Sequence, residues 1–230
     1  ELKCSNIMII KPNIDEDNIG DRSNGNIECA TKLVTLLGKL KAKRIMEIIT
    51  SNIHTKDNHD VSIDKNYSII KDQDLMKLQQ HKHVIITGDQ VVTCNNEILE
   101  KPKNKEELIS FYQKYSNNYL ETVGSIVMTN IETKQQVTKV DIARVTFKNI
   151  PIQVLEDICN NKIGSIEENE ILFYCCGGLM IEHSILSTYI VSISSSMYSD
   201  SYIEGIDACS LNNDTITQFK FKFALKNKNK

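Results

Sequence analysis

The feature of this sequence that most restricts its fold is one carboxylate inside a run of apolar residues. The run extends from His83 to Val92 and contains Asp89. An apolar run of this length predicts a buried strand, and a carboxylate there is costly to bury unless it is paired or binds a cation. We expect the strand to give way to a loop just after Asp89, where open sheets present catalytic groups. The alternative is a structural Asp that accepts backbone hydrogen bonds at a strand end.

The rest of the chain alternates between strand and helix patterns. Apolar residues at helical spacing from Ile27 to Ile49 predict a helix of about six turns. The polar stretch 51–82 is predicted to be an inserted, partly disordered surface segment of a single 230-residue domain. Further strands are predicted at 6–10, 97–99, 120–131, 136–147, 179–181 and 189–193, with helices after Asn104 and at Pro151 and a polar loop before Gly177. The prediction is an α/β fold.

Composition excludes two classes of partner. The net charge is -3, which is incompatible with the broad basic face of a generic nucleic-acid binder. No apolar run approaches the length of a membrane span. The seven Cys are odd in number, irregularly spaced and without a Cys-x-x-Cys pair. This pattern favours a reduced intracellular compartment, so we expect a cytoplasmic protein.

Two lysines and an acidic cluster could act together with Asp89. Lys41 lies in the long predicted helix, and Lys101 precedes Pro102, which stiffens the backbone. Two ammonium groups near a carboxylate suit a polyphosphate with a divalent cation. Taken singly, each is more typical of a solvated surface Lys. The cluster 14–17 contains Glu16 and, without further context, is more typical of the acidic first turn of a helix.

The order of these pieces resembles that of the Maf family of nucleotide pyrophosphatases. The segments that carry the resemblance are Ile14-Asp15-Glu16, Leu37-Gly38-Lys39-Leu40-Lys41-Ala42, Gly88-Asp89-Gln90-Val91-Val92, Glu97-Ile98-Leu99-Glu100-Lys101-Pro102, Val145-Thr146-Phe147 and Gly177-Gly178-Leu179-Met180-Ile181-Glu182. The most specific is the Gly-Asp-Gln-Val-Val strand followed at the right distance by the segment that ends in Lys-Pro. The likeness covers about residues 6–207.

The resemblance implies a mixed, elongated sheet bent around a central cleft, with flanking helices. It also implies hydrolysis of nucleoside triphosphates to monophosphate and pyrophosphate with Mg²⁺ or Mn²⁺. Asp89 would activate water or hold the metal, and Glu16 would be the second acidic residue and metal ligand. Lys41 and Lys101 would bind the triphosphate. The oligomeric state stays open, with a homodimer as one arrangement.

Some features depart from the family pattern. Members open with a strand and a phosphate-binding Ser-x-Ser-x-Arg loop, and the sequence begins downstream of both, which are expected to be missing. The substrate-reading position before the Gly-Gly falls at about Tyr174. Gln90 resembles the branch that acts on 7-methyl-GTP, whereas the dTTP/UTP branch has Thr there. Tyr174 matches neither branch, so both substrate preferences stay open. The alternatives are therefore a catalytically impaired nucleotide-binding module and, less favoured, a scaffold whose polar insertion binds a partner.

Overall fold

The computed structural model describes residues 9–50 and 83–195. In chain order its elements are α1 (Ile27–Thr50), β1 (Val84–Cys94), β2 (Glu97–Leu99), α2 (Lys105–Tyr115), β3 (Tyr119–Asn130), β4 (Gln136–Phe147), α3 (Ile152–Cys159), α4 (Ile166–Ile171) and β5 (Ile190–Ser195). The strands form one sheet in the order β2-β1-β3-β4-β5, and every neighbouring pair is antiparallel. The α/β fold is confirmed. No helix within these ranges is long and apolar enough to cross a membrane.

Helix α1 packs against one face of β1 and β3. Its first turn is capped by Asn26, whose Oδ1 accepts a hydrogen bond from the Cys29 amide at 2.8 Å. The buried stripe of the helix meets Val91 and Val123 of the sheet. The members of this stripe are Ala30, Leu33, Val34 and Leu37. The helix α1 is therefore amphipathic, and its apolar side packs on the sheet.

Polar contacts fix the position of α1 along the sheet. The Thr87 hydroxyl donates to the carbonyl of Gly38 at 2.7 Å, and the Ser125 hydroxyl donates to the carbonyl of Val34 at 2.6 Å. A Cβ on Gly38 would lie 2.9 Å from the Val127 side chain and 3.0 Å from Ser125 Oγ. Glycine at this position therefore allows the helix to approach β3 closely, and both hydroxyls set its register.

The face of the sheet that α1 does not cover packs against α2, α3 and a Gly-Gly turn. The hydroxyls of Tyr112 and Tyr115 donate to the carbonyls of Gly178 and Gly177 at 2.9 and 2.8 Å. The Gly177 amide donates to the Glu100 carbonyl at 2.7 Å. Gly177 has a φ of +62°, and a Cβ there would lie 2.7 Å from the Tyr115 hydroxyl. Two buried tyrosines of α2 thus hold the Gly-Gly turn, and the Gly177 amide joins the turn to the residue after β2.

Other local predictions were wrong or cannot be compared. Residues 179–181 are predicted as a strand but form no strand, because the chain turns again directly after the 3₁₀ helix Cys176–Gly178, with the His183 amide donating to the Met180 carbonyl at 3.2 Å. The predicted polar loop contains α4, which Ser165 caps at the Glu168 amide. The predicted strand at 6–10 falls largely outside the described residues, and residues 9 and 10 are not in a strand. The predicted insertion 51–82 lies outside the described residues.

His183 gives the fold a pH dependence. Its ring is fully buried, its Nδ1 accepts the amides of Ile185 and Leu186 at 3.2 Å each, and its Nε2 lies 3.1 Å from Asn169 Oδ1. Because Nδ1 accepts two donors, the ring is neutral and Nε2 carries the proton. Burial lowers the pKa of His183, and the charge of Glu168 opposes that shift only in part.

We therefore expect the unfolding free energy to fall as the pH decreases below about 6.5, the ordinary His pKa. The unfolded chain binds the proton more readily than the folded one, so the contribution of His183 is present above that pH and is lost below it. Thermal unfolding from pH 8 to pH 5 measures this, with His183→Asn as the comparison. Equal pH dependence in parent and variant would contradict the assignment.

Candidate active site

The centre of the candidate site is the Lys41 ammonium, which lies between two carboxylates. Its Nζ is 2.6 Å from Asp89 Oδ1 and 3.1 Å from Glu16 Oε2. The side chains of Lys41 and Asp89 are 15% and 11% exposed, whereas that of Glu16 is 43% exposed. Three residues predicted for the site therefore meet in one place, at the boundary between the protein interior and solvent.

The geometry follows from the register of α1 on the sheet. Thr87 and Asp89 are two residues apart on β1 and so point to the same face. Gly38 and Lys41 are three residues apart on α1 and so lie on the same side of the helix. The hydrogen bond from the Thr87 hydroxyl to the Gly38 carbonyl therefore places Lys41 above Asp89. Asp89 lies in the middle of β1, not at a strand end as predicted, and its carboxylate pairs with Lys41.

The pKa values of both central groups are raised, for different reasons. Burial raises the pKa of Asp89, the hydrogen bond and charge of Lys41 oppose this, and the charges of Glu16 and Glu100 raise it further. Burial alone would lower the pKa of Lys41, but the hydrogen bonds and charges of Asp89 and Glu16 outweigh it. Asp89 is thus a carboxylate with increased proton affinity beside a cation that stays charged.

The acidic cluster 14–17 is in a loop and not at the start of a helix, because α1 begins only at Ile27. Arg22 holds this loop. Its Nη2 donates to the Glu16 carbonyl at 2.7 Å, Nη1 donates to the Ile19 carbonyl, and Nε pairs with Glu100 Oε1. The loop that carries Glu16 is thereby joined to the residue that follows β2.

Lys101 lies in the same region but is exposed to solvent. Its charge and that of Asp89 both act on Cys176. The pKa of this thiol is raised to about 11, first by burial and then by the charge of Asp89, while the charge of Lys101 lowers it. Cys176 Sγ donates to the Gln90 carbonyl at 2.9 Å. Lys101 is therefore close to the Asp89 strand, on the side occupied by the Gly-Gly turn.

The two predicted specificity residues lie apart from the Lys41 ammonium. Successive residues of a strand point to opposite faces, so the exposed Gln90 side chain points away from the face that carries Asp89. On that second face the neighbouring Val92 contacts Gly177. Tyr174 is 76% exposed, at the end of the 3₁₀ turn Leu172–Tyr174. A nucleobase that contacts either residue would therefore lie on the surface around the Gly-Gly turn.

The carboxylates around Lys41 have the chemistry of a divalent-cation site. Oxygen atoms of Asp89 and Glu16 converge on one ammonium, and the charge of Glu100 reaches Asp89. Within residues 9–50 and 83–195, no three metal-ligating side chains already surround a common point. Mg²⁺ is often held by one or two carboxylates, with waters and substrate phosphates completing its shell. The donor set therefore fits a cation that binds together with a polyphosphate.

The amino-acid sequence also matches a known protein family. The model of the Maf-like protein family matches residues 2–201. The chain belongs to the Maf-like family. The match covers both the α1–β1 contact and the Gly-Gly turn, so it includes every residue predicted for the site.

Two relatives of this Maf-like chain have named activities. A 7-methyl-GTP pyrophosphatase of Dictyostelium discoideum is 26% identical over 174 residues, which are 76% of this chain and 70% of the relative. A dTTP/UTP pyrophosphatase of Clostridium perfringens strain ATCC 13124 is 28% identical over 97 residues, which are 42% of this chain and 50% of the relative. The chain thus matches half the length of the clostridial protein.

Sequence reasoning missed two polar residues of the Maf-like site, Arg22 and Glu100. The available signal for Arg22 was its rarity, because the chain has only three Arg and this one follows the acidic cluster by a few residues. Glu100 directly precedes Lys101, but no spacing rule connects it with Arg22. Their pairing depends on how the loop returns to the end of β2, which only the structure shows.

Proposed function

We propose that the chain hydrolyses nucleoside triphosphates to nucleoside monophosphate and pyrophosphate at the Lys41–Asp89 site. The observation that carries the proposal is the half-buried ammonium between two carboxylates, one of which has a raised pKa. A general base acts best when its pKa is shifted toward the working pH. The cation beside it suits the charge of a polyphosphate. The names of the two relatives support the same class of reaction.

In the proposed reaction a water oxygen attacks the α-phosphorus while Asp89 accepts one of its protons. A bond forms between that oxygen and phosphorus, and the bond from phosphorus to the bridging oxygen breaks. Pyrophosphate leaves with the electron pair of the broken bond. Lys41 and Lys101 neutralise phosphate charge, which increases on the leaving group in the transition state. The products are the monophosphate, pyrophosphate and one proton.

Asp89 and Glu16 would hold a divalent cation, Mg²⁺ or Mn²⁺, when the substrate binds. Such an ion supplies Lewis-acid stabilisation of phosphoryl oxygens and orients the triphosphate. Lys41 lies between the same two carboxylates and would keep their charges balanced before the ion arrives. In this proposal Asp89 is the base and would also be a ligand of the cation, and Glu16 would be the second carboxylate ligand.

The proposal can be tested by measuring pyrophosphate release from the full-length protein. A panel of canonical and modified triphosphates with Mg²⁺ or Mn²⁺ should yield monophosphate and pyrophosphate in equal amounts. The rival, a nucleotide-binding module of the same fold, would bind triphosphates in equilibrium dialysis without turnover. Nucleoside triphosphate is thus the proposed partner in either case. We also propose a cytoplasmic location, where this substrate pool is found, and the homodimer stays a prediction.

We expect 7-methyl-GTP or another modified purine to exceed dTTP and UTP in kcat/KM. The Gln90 amide can donate and accept hydrogen bonds with a base or ribose edge, and an exposed aromatic ring such as Tyr174 can stack on a base. Gln90→Thr should reduce the difference in activation free energy between the two groups of substrates by about 1 to 3 kcal/mol, the usual scale of one polar recognition contact.

Competition assays with paired substrates measure this preference directly. Gln153→Thr, a change on the surface of α3, is the matched control and should leave the ratio unchanged. If dTTP and UTP are the best substrates of the parent, the 7-methyl-GTP assignment is wrong and the pyrophosphatase assignment still stands.

A further inference from the structure

We propose that Arg22 is a positioning residue of the site, and that it holds Glu16 against Lys41 by joining the Glu16 loop to Glu100. Its guanidinium uses three different nitrogens for three partners: the carbonyls of Glu16 and Ile19, and the carboxylate of Glu100. Both carbonyl partners are in the loop, whereas Glu100 belongs to the segment after β2 that leads to Lys101. The inference rests on the proposed function for its kinetic test.

The burial pattern explains why the loop needs such a contact. Glu16 is 43% exposed and lies eleven residues before Ile27, the start of α1, so it belongs to no helix or strand. The described hydrogen bonds within the loop itself are local: Asn18 Nδ2 donates to Asp15 Oδ2 at 2.7 Å, and the Ile19 amide donates to the Glu16 carbonyl at 3.2 Å. Neither contact reaches the sheet. The segment meets the sheet at Ile19, which packs on the cluster of α1 and the sheet, and at Gly25, whose amide donates to the Asn96 carbonyl at 2.7 Å, but neither of these contacts holds Glu16 itself. Arg22, with its side chain 23% exposed, supplies a connection to the strand side of the site.

The charge of Glu100 also supports a positioning role for Arg22. Glu100 raises the pKa of Asp89, so the two carboxylates are within electrostatic range of each other. Pairing with Arg22 offsets the charge of Glu100. The Lys41 ammonium forms its ion pairs with Asp89 and Glu16. The Arg22 guanidinium therefore has two roles. It sets the position of the loop that carries Glu16, and it pairs with Glu100 so that this carboxylate does not compete for Lys41. Lys cannot replace it, because an ammonium lacks the planar fork that reaches several acceptors in fixed directions.

The test compares the parent with Arg22→Gln, Arg22→Lys and a control, Arg144→Gln. Arg144 pairs with Glu121 at 2.7 Å on the surface of β3 and β4, away from the site, so it controls for loss of an Arg–Glu pair. We expect Arg22→Gln to lower kcat about 10- to 100-fold, the scale of a small displacement of catalytic groups, with a smaller change in KM. Arg22→Lys should remain impaired, and the control should match the parent.

A second measurement separates this inference from the proposed function. Hydrogen exchange of the amides in 13–22 should accelerate in Arg22→Gln and not in Arg144→Gln, whether or not the parent hydrolyses triphosphates. Unchanged exchange in 13–22 would overturn the positioning role. So would full recovery by Arg22→Lys, or a rise in KM with unchanged kcat, which would indicate direct contact with substrate. An inactive parent with accelerated exchange in the variant would contradict the pyrophosphatase proposal and support the positioning role.

Discussion

Asp89→Asn is expected to abolish hydrolysis while leaving the fold intact. General bases contribute about 10² to 10⁴-fold to turnover, and an amide neither accepts a proton from water nor binds a cation strongly. The fold should tolerate the change because burial and nearby carboxylates already raise the pKa of Asp89, so the site disfavours the charge that is removed. Steady-state kcat and the thermal midpoint of the purified variant measure the two effects.

Asp157→Asn is the matched control for that experiment. Asp157 lies on α3 and pairs with Lys162 at 3.1 Å, outside the site. Its replacement should leave turnover unchanged. Retention of more than about a tenth of the parent's turnover in Asp89→Asn would argue against both the base and the metal role, given the usual contribution of such groups.

Lys41→Gln is expected to lower kcat/KM by about 10²- to 10³-fold, the scale seen when one preorganised donor to a developing negative charge is removed. It should also move the acid limb of the pH–rate profile to higher pH. The direction of this shift follows from the charges around Asp89: Lys41 lowers the pKa of Asp89, whereas Glu16 and Glu100 raise it. Without the ammonium, Asp89 binds its proton more tightly and is deprotonated, and so active as a base, only at higher pH.

The control for this second change lies two residues earlier on the same helix. Lys39 is exposed, so Lys39→Gln removes the same charge from α1 without touching the site and should leave the profile unchanged. A Lys41→Gln protein whose acid limb stays at the parent's pH would contradict the electrostatic coupling between Lys41 and Asp89.

The contact between Lys41 and Asp89 could be anticipated because both lie in elements with strong patterns. The apolar run around Asp89 and the helical spacing around Lys41 identify a strand and a helix, and both are confirmed. The family resemblance then supplied the pairing, which periodicity alone does not. The hydroxyl of Thr87, which sets the register between these elements, carries no recognisable sequence signal.

The parts that could not be anticipated depend on the paths of irregular segments. Leu179 follows a Gly-Gly turn whose conformation is set by hydroxyls of two distant tyrosines, so its local apolar pattern was misleading. The Arg22–Glu100 pair joins residues 78 positions apart through two loops. Lys101 is exposed on the side of the Gly-Gly turn, and its role in phosphate binding stays a prediction, as do the roles of Gln90 and Tyr174.

The most direct test of the central claim is hydrolysis of a triphosphate by the full-length protein in ¹⁸O-labelled water. Attack at the α-phosphorus places the label in the nucleoside monophosphate and leaves pyrophosphate unlabelled, and mass spectrometry of both products distinguishes them. We expect labelled monophosphate and unlabelled pyrophosphate in equal amounts from the parent and negligible product from Asp89→Asn. Labelled pyrophosphate, nucleoside diphosphate with orthophosphate, or no turnover across the substrate panel would contradict the proposed function.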